Sequence, residues 1–103
     1  MAGPTPFPLS RPRAAAILRE AARTGAKVVF TDHAAKRMRE RGILRTQVLR
    51  CLGRGRIVEG PAADLHGNWT CRVAGLAEGR KLSVAVAIEL PEGVIVITAF
   101  WGE

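Results

Sequence analysis

The apolar residues of this chain change their spacing at Gly55. Before it they recur every three or four positions, as in amphipathic helices, and after it they alternate with polar or small residues, as in β-strands. The later runs are rich in β-branched residues and are separated by segments containing Gly, Pro, Asp or Asn, which favour turns. The sequence therefore predicts an α+β fold, with N-terminal helices followed by an antiparallel sheet of about four strands.

Three helices are predicted before this change of spacing. The first follows an N-cap at Ser10 and ends before Gly25. The second can be capped by either Thr31 or Asp32, and Gly42 ends it. The third covers the segment LRTQVLRCLG, while the short run KVVF is predicted as an extended lead-in to the second helix.

The predicted strands differ in the number of faces that are apolar. The last run, VIVITAFW, is apolar on both faces apart from Thr98, which is typical of an interior strand. The run KLSVAVAIEL has large apolar residues on one face and small or polar residues on the other. We therefore expect the helices to pack on one face of the sheet and to leave the opposite face lightly covered.

The length of the chain favours a single domain. Its 103 residues, 48% of them hydrophobic, can bury one modest core. We expect a flexible N-terminus over residues 1–9 and one domain over residues 10–103. No apolar run reaches the roughly 18 residues that a membrane-spanning helix needs, and no signal peptide is evident. A cytoplasmic protein that does not bind a membrane is therefore expected.

The residues that could bind a metal or a cofactor are scattered along the sequence. Cys51 and Cys71 are twenty positions apart and lack the spacing of a zinc site. Asp32, Glu59 and Asp64 are isolated in their segments, so no carboxylate cluster is indicated. The segment GRGR lacks the Lys-Ser/Thr ending of a phosphate-binding loop. Neither a metal nor a cofactor is expected.

Positive charge is concentrated in one half of the sequence. Residues 11–56 contain 13 Lys/Arg and 3 Asp/Glu, a net charge of +10, whereas residues 57–103 carry a net charge of −3. A positively charged surface attracts polyanions, so this asymmetry favours a nucleic acid as the partner. An acidic protein partner, or a purely solubilising role, would also be consistent with it.

The second predicted helix carries a histidine among its basic residues. His33, Arg37 and Arg41 are four residues apart and form a stripe beside the apolar Ala34 and Met38. Histidine can exchange a proton with a ribose hydroxyl near neutral pH, and guanidinium groups match phosphate oxygens. These residue types suit a metal-independent ribonuclease. The alternative is that His33 is a capping or surface residue.

Four motifs resemble one bacterial family. The patterns HAxxRMxxRGI, GRIVEG and HGNW, and a final strand containing VIT, are similar to those of the domain-of-unknown-function family four-two-five-eight. Its layout is in turn similar to that of RelE, BrnT and colicin-like ribonuclease toxins, which cleave RNA without metal. The resemblance implies a RelE/BrnT-like fold and a ribonuclease site in which His33, Arg37 and Arg41 face Thr98.

The predicted function follows from this resemblance and from the basic half of the sequence. We expect a metal-independent ribonuclease toxin of a bacterial toxin–antitoxin or related system, with RNA and an acidic antitoxin or other protein as partners. A tyrosine expected near the end of the chain is replaced by Phe100, and the chain has no tyrosine. The alternative is a non-catalytic module, which a phage could encode, that binds nucleic acid or an acidic protein. The predicted nucleic-acid contacts are Lys36, Arg45, Arg54, Arg56 and Trp101.

Overall fold

The computed structural model describes residues 8–90 and 93–102, which form three helices and five strands. The α+β class is confirmed. The predicted flexible segment falls mainly on residues 1–7, which lie outside the described part. No described helix is long and apolar enough to cross a membrane. In chain order the elements are α1 (Arg11–Thr24), β1 (Val28–Phe30), α2 (Asp32–Arg41), α3 (Arg45–Arg54), β2 (Arg56–Ala63), β3 (Trp69–Ala77), β4 (Arg80–Glu89) and β5 (Gly93–Trp101).

The sheet has five strands and is mixed, which corrects the prediction of about four antiparallel strands. The strand order is β1-β5-β4-β3-β2, and β1 runs parallel to β5 while the other neighbours are antiparallel. The run KVVF, predicted as a lead-in, supplies β1, in which Val28 pairs with Val94 and Phe30 with Val96. Because its partner lies far along the chain, local sequence does not reveal the pairing.

Strand β5 is an interior strand, as predicted. It lies between β1 and β4, and its pairing with β4 is interrupted by a bulge at Ile97, since Val96 faces Val86 whereas Thr98 faces Ala85. The three residues of β1 cover only the first part of β5. The backbone N–H of Thr31 donates to the carbonyl of Val96 at 3.3 Å, and α2 begins at the next residue. Helix α2 therefore starts where strand pairing on this edge ends.

The hydrophobic core lies on one face of the sheet. Leu82, Val84, Val86 and Ile88 of β4 are fully buried in a cluster that also contains apolar residues of all three helices. The alternate β4 positions, which include Ser83, lie on the opposite face and do not belong to that cluster. The core cluster thus lies on one face, as predicted. Ser83 and Ala87 on the other face are only 0% and 5% exposed, so β4 is not lightly covered on that face as predicted.

Local side-chain bonds and glycines set the ends of the helices. The hydroxyl of Ser10 accepts from the backbone N–H of Arg13 at 3.2 Å and caps α1. The hydroxyl of Thr31 accepts from the N–H of Ala34 at 3.0 Å, which decides between the two predicted caps of α2. Helix α2 ends at Gly42, whose φ of 66° is favourable for a residue without a side chain.

Helix α3 approaches β3 closely where the helix ends. A Cβ atom added to Gly55 would lie 2.5 Å from the carbonyl oxygen of Ala74 and 2.6 Å from that of Cys51. A Cβ atom at Gly75 would lie 3.2 Å from the sulfur of Cys51. The two glycines therefore allow the helix and the strand to approach to backbone contact.

We expect Gly55→Ala to lower the free energy of unfolding by about 2 kcal/mol, because the new methyl group overlaps two carbonyl oxygens and forces backbone shifts. Gly53→Ala is the matched control. Gly53 lies within α3, and its Cβ atom would make an ordinary 3.4 Å contact with Ala22 of α1. Urea unfolding followed by circular dichroism measures both changes. Equal stabilities of the two variants would contradict the proposed close approach.

Candidate functional site

The last turn of α2 is fixed to β5 by two hydrogen bonds. The Nη1 of Arg41 donates to the carbonyl oxygen of Ala99 at 2.8 Å, and the indole Nε1 of Trp101 donates to the carbonyl oxygen of Arg41 at 2.7 Å. On the buried side, Ala34 and Met38 enter the core cluster. The helix is therefore held both by its apolar face and by its end.

The three residues of the predicted stripe differ in their surroundings. His33 is exposed and makes no hydrogen bond or ion pair with any described residue. Arg37 forms an ion pair with Glu40 at 2.9 Å, and Arg41 is bonded to the sheet. Thr98 lies on the face of β5 opposite the core cluster, so it does not face the stripe as predicted, and no hydrogen bond joins it to the stripe. The helix spacing thus aligns the three basic side chains, while Thr98 is not bonded to them.

Two of the predicted nucleic-acid contacts take part in the packing of the protein. The guanidinium of Arg45 lies 4.8 Å from the centre of the Phe30 ring and donates to the carbonyl of Gly25 at 3.2 Å. The ring of Trp101 has the guanidinium of Arg80 at 4.0 Å from its centre. Arg80 was not singled out in the sequence, because its contact with Trp101 depends on the pairing of β4 with β5. One face of the tryptophan ring is therefore already covered by a cation.

A basic groove of about 470 Å³ lies between the end of α3 and β3. Arg54 and Arg56, both predicted as nucleic-acid contacts, line it together with Arg50, which the sequence analysis did not select. All three are exposed, and none has a partner among the described side chains. The spacing of Arg50 and Arg54, one helical turn apart, was the signal that could have identified the missing residue. Lys36 on α2 is likewise exposed and unpaired within the described residues.

A groove of greater volume lies elsewhere and lacks a group suited to proton transfer. It has a volume of about 560 Å³ and runs along α1 from Arg13 to Lys27. Its carboxylate, Glu20, is bonded to Arg23 at 2.6 Å, and this bond lowers the pKa of Glu20. We therefore place the candidate site on the basic residues of α2 and α3 and not in this groove along α1.

The two cysteines are free thiols inside the protein. Burial raises the pKa of Cys51 to about 11 and raises that of Cys71 as well. A buried thiol with a raised pKa is a poor nucleophile at neutral pH. Among residues 8–90 and 93–102, no three His, Cys, Asp or Glu side chains form a group that could hold a metal ion.

We expect Arg41→Ala to lower the free energy of unfolding by about 1 to 2 kcal/mol, because the carbonyl of Ala99 loses its charged donor. Arg39→Ala is the control, since Arg39 is exposed on the same helical turn and has no partner in the described structure. Thermal and urea unfolding measure the difference. If both variants were as stable as the wild type, Arg41 would not hold α2 on the sheet.

Comparison with known proteins identifies a family. The family model described as a domain of unknown function (DUF4258) matches residues 30–101, which include α2, α3 and strands β2 to β5. The chain belongs to this family, which confirms that part of the resemblance seen in the sequence. No curated protein and no solved structure matches the chain. Family membership therefore brings no known activity with it.

Proposed function

We propose that this DUF4258 protein binds RNA and acts as a metal-independent, RelE/BrnT-like ribonuclease toxin in the cytoplasm of a bacterium, within a toxin–antitoxin or related system. The observation that carries the proposal is the set of exposed cations on α2, α3 and the start of β2 that have no partner in the described structure. Binding of a phosphate backbone to such a surface releases counterions and is strongly favourable at low salt. These cations are Lys36, Arg39, Arg50, Arg54 and Arg56.

The chemical step assigns proton transfer to His33. The neutral imidazole removes the proton of a ribose 2′-hydroxyl while the 2′-oxygen forms a bond to phosphorus. The bond from phosphorus to the 5′-oxygen breaks, and that oxygen takes a proton from solvent, because the site is exposed and the chain has no tyrosine. The products are a 2′,3′-cyclic phosphate and a 5′-hydroxyl.

The guanidinium groups of the stripe retain donors for a phosphate. A guanidinium has five N–H donors. Arg41 uses one nitrogen for Ala99, and Arg37 uses one for Glu40. The remaining donors can bind the charge that develops on the phosphate oxygens, where charged donors are most effective. Thr98 lies on the opposite face of the sheet, so the proposed step assigns it no role.

A non-catalytic module that binds nucleic acid or an acidic partner protein, such as a phage could encode, is the second candidate. One observation favours it: no described residue donates to or accepts from His33, so nothing fixes the orientation of its ring. In an efficient general base, a second group commonly orients the imidazole. For the proposed toxin, we expect an acidic antitoxin to bind the same exposed cations of α2, α3 and β2.

We expect the affinity for RNA to fall steeply as salt concentration rises. Lys36→Ala should reduce the slope of log affinity against log salt by roughly 0.7 to 0.9, the value for one lost phosphate contact. Arg13→Ala on α1 is the control and should leave the slope unchanged. Fluorescence anisotropy of a labelled RNA at several salt concentrations gives the slopes. No affinity for RNA at low salt, or an affinity that does not change with salt concentration, would favour an acidic protein as the partner.

We expect cleavage of RNA that persists in EDTA and falls about 100-fold or more in His33→Ala, the usual loss for a general base. His66→Ala is the matched control, because His66 is exposed between β2 and β3. Gel analysis of end-labelled products, with identification of the 2′,3′-cyclic phosphate, measures both effects. Full activity in His33→Ala would exclude the mechanism. Tight binding of RNA by a wild-type protein that never cleaves it would favour the non-catalytic module.

A further inference from the structure

We infer that the groove lined by Arg50, Arg54 and Arg56 is a second phosphate site, and that the RNA is a single strand running across one end of the sheet from α2 to this groove. The inference rests on the proposed binding of RNA. It adds the class of RNA, its path and a role for Arg50.

The three arginines of the groove are not used by the fold. Arg41, Arg45 and Arg80 each contact a backbone carbonyl or an aromatic ring. Arg50, Arg54 and Arg56 have no such contact within the described part of the chain, although they converge on one groove. Like charges held together repel one another, so a bound anion would relieve their repulsion. Guanidinium groups bind phosphate oxygens in paired hydrogen bonds.

The groove also has surface that can contact a base. Strand β2 begins opposite Ala74, so the following residues of β3, Gly75 and Leu76, have no partner in β2. Both line the groove, and the side chain of Leu76 is 68% exposed. An apolar side chain can pack against the flat face of a base. The groove therefore combines cations for phosphate with the apolar surface of Leu76 for a base.

Strand register places this groove at the same end of the sheet as the last turn of α2. Phe100 of β5 pairs with Ser83, Ser83 with Ala74, and Ala74 with Arg56 of β2. Arg41 is bonded to Ala99, one residue from this row. Three strand spacings, about 14 Å, separate β5 from β2 along the row. The β3–β4 turn at Glu78 and Gly79 extends beyond the row, so this separation is a lower bound on the path from α2 to the groove.

A short single strand fits this arrangement better than a duplex. A distance of about 14 Å is spanned by a few nucleotides of extended RNA, whereas modules that recognise double-stranded RNA contact about 16 base pairs. In a duplex the bases are paired and stacked, so none could pack against Leu76. One acidic residue, Glu78, lies beside Arg50 in the adjoining groove and marks the boundary of the basic surface.

The test is a length series of labelled single-stranded RNA, measured by fluorescence anisotropy on wild type, the double variant Arg50→Ala/Arg54→Ala and the control Arg19→Ala. Wild type and control should gain affinity once the RNA is long enough to reach from α2 to the groove. The double variant should lose that gain, by about tenfold at the longer lengths, while it keeps its affinity for the shortest RNA. Because both replaced residues are exposed and unpaired within the described structure, its unfolding should match that of the control.

The possible failures are distinguishable. No affinity of wild type for RNA of any length would overturn the proposed function itself. An unchanged length dependence in the double variant would overturn the groove alone. Equal affinity for a duplex of the same sequence would overturn the single-stranded path. Displacement of RNA by polyglutamate at equal charge concentration would point instead to an acidic protein partner and would also overturn the inference.

Discussion

The placement of the basic helix depends on two hydrogen bonds between α2 and β5. Strand β1 pairs with only the first part of β5, so the carbonyl of Ala99 has no partner from β1, and the guanidinium of Arg41 bonds to it instead. Trp101 completes the junction by donating to the carbonyl of Arg41. One arginine thus satisfies a carbonyl at the edge of the sheet and helps to hold the helix that carries His33 and Arg37. A phosphate bound by Arg41 would share the guanidinium group that also donates to the carbonyl of Ala99.

The positive charges of the protein fall into two classes with different consequences. Arg41, Arg45 and Arg80 bind backbone carbonyls or aromatic rings, and their charge contributes to packing as well as to the surface potential. The arginines of the α3 groove lack such contacts among the described residues, and their charge is available to a ligand. A count of charges along the sequence treats both classes alike. Among the described residues, cations without such contacts lie on α2, on α3 and at the start of β2.

The features that were predicted correctly from the sequence are those that depend on neighbouring residues. The cap at Ser10 and the stop at Gly42 depend on neighbouring residues, and each was predictable. Strand β1 was missed because three residues carry too little pattern and their partners lie 66 positions away. The role of Arg50 was missed because the other wall of its groove belongs to β3, and the contact of Arg80 with Trp101 depends on the register of β4 and β5. The site is thus assembled by pairings that no short segment encodes.

The pairing of β1 with β5 also bears on the order in which the protein is assembled. Synthesis proceeds from the N-terminus, so α2 and α3 leave the ribosome before the strand that binds them. The pairing of Val28 with Val94 closes a loop of 66 positions, which is entropically unfavourable until the intervening hairpins have formed. We therefore expect β1 and α2 to dock late in folding. Until β5 has been made, the apolar side chains of Ala34 and Met38 lack their strand neighbours. A nascent chain therefore carries the cations of α2 before β5 is present to fix that helix on the sheet.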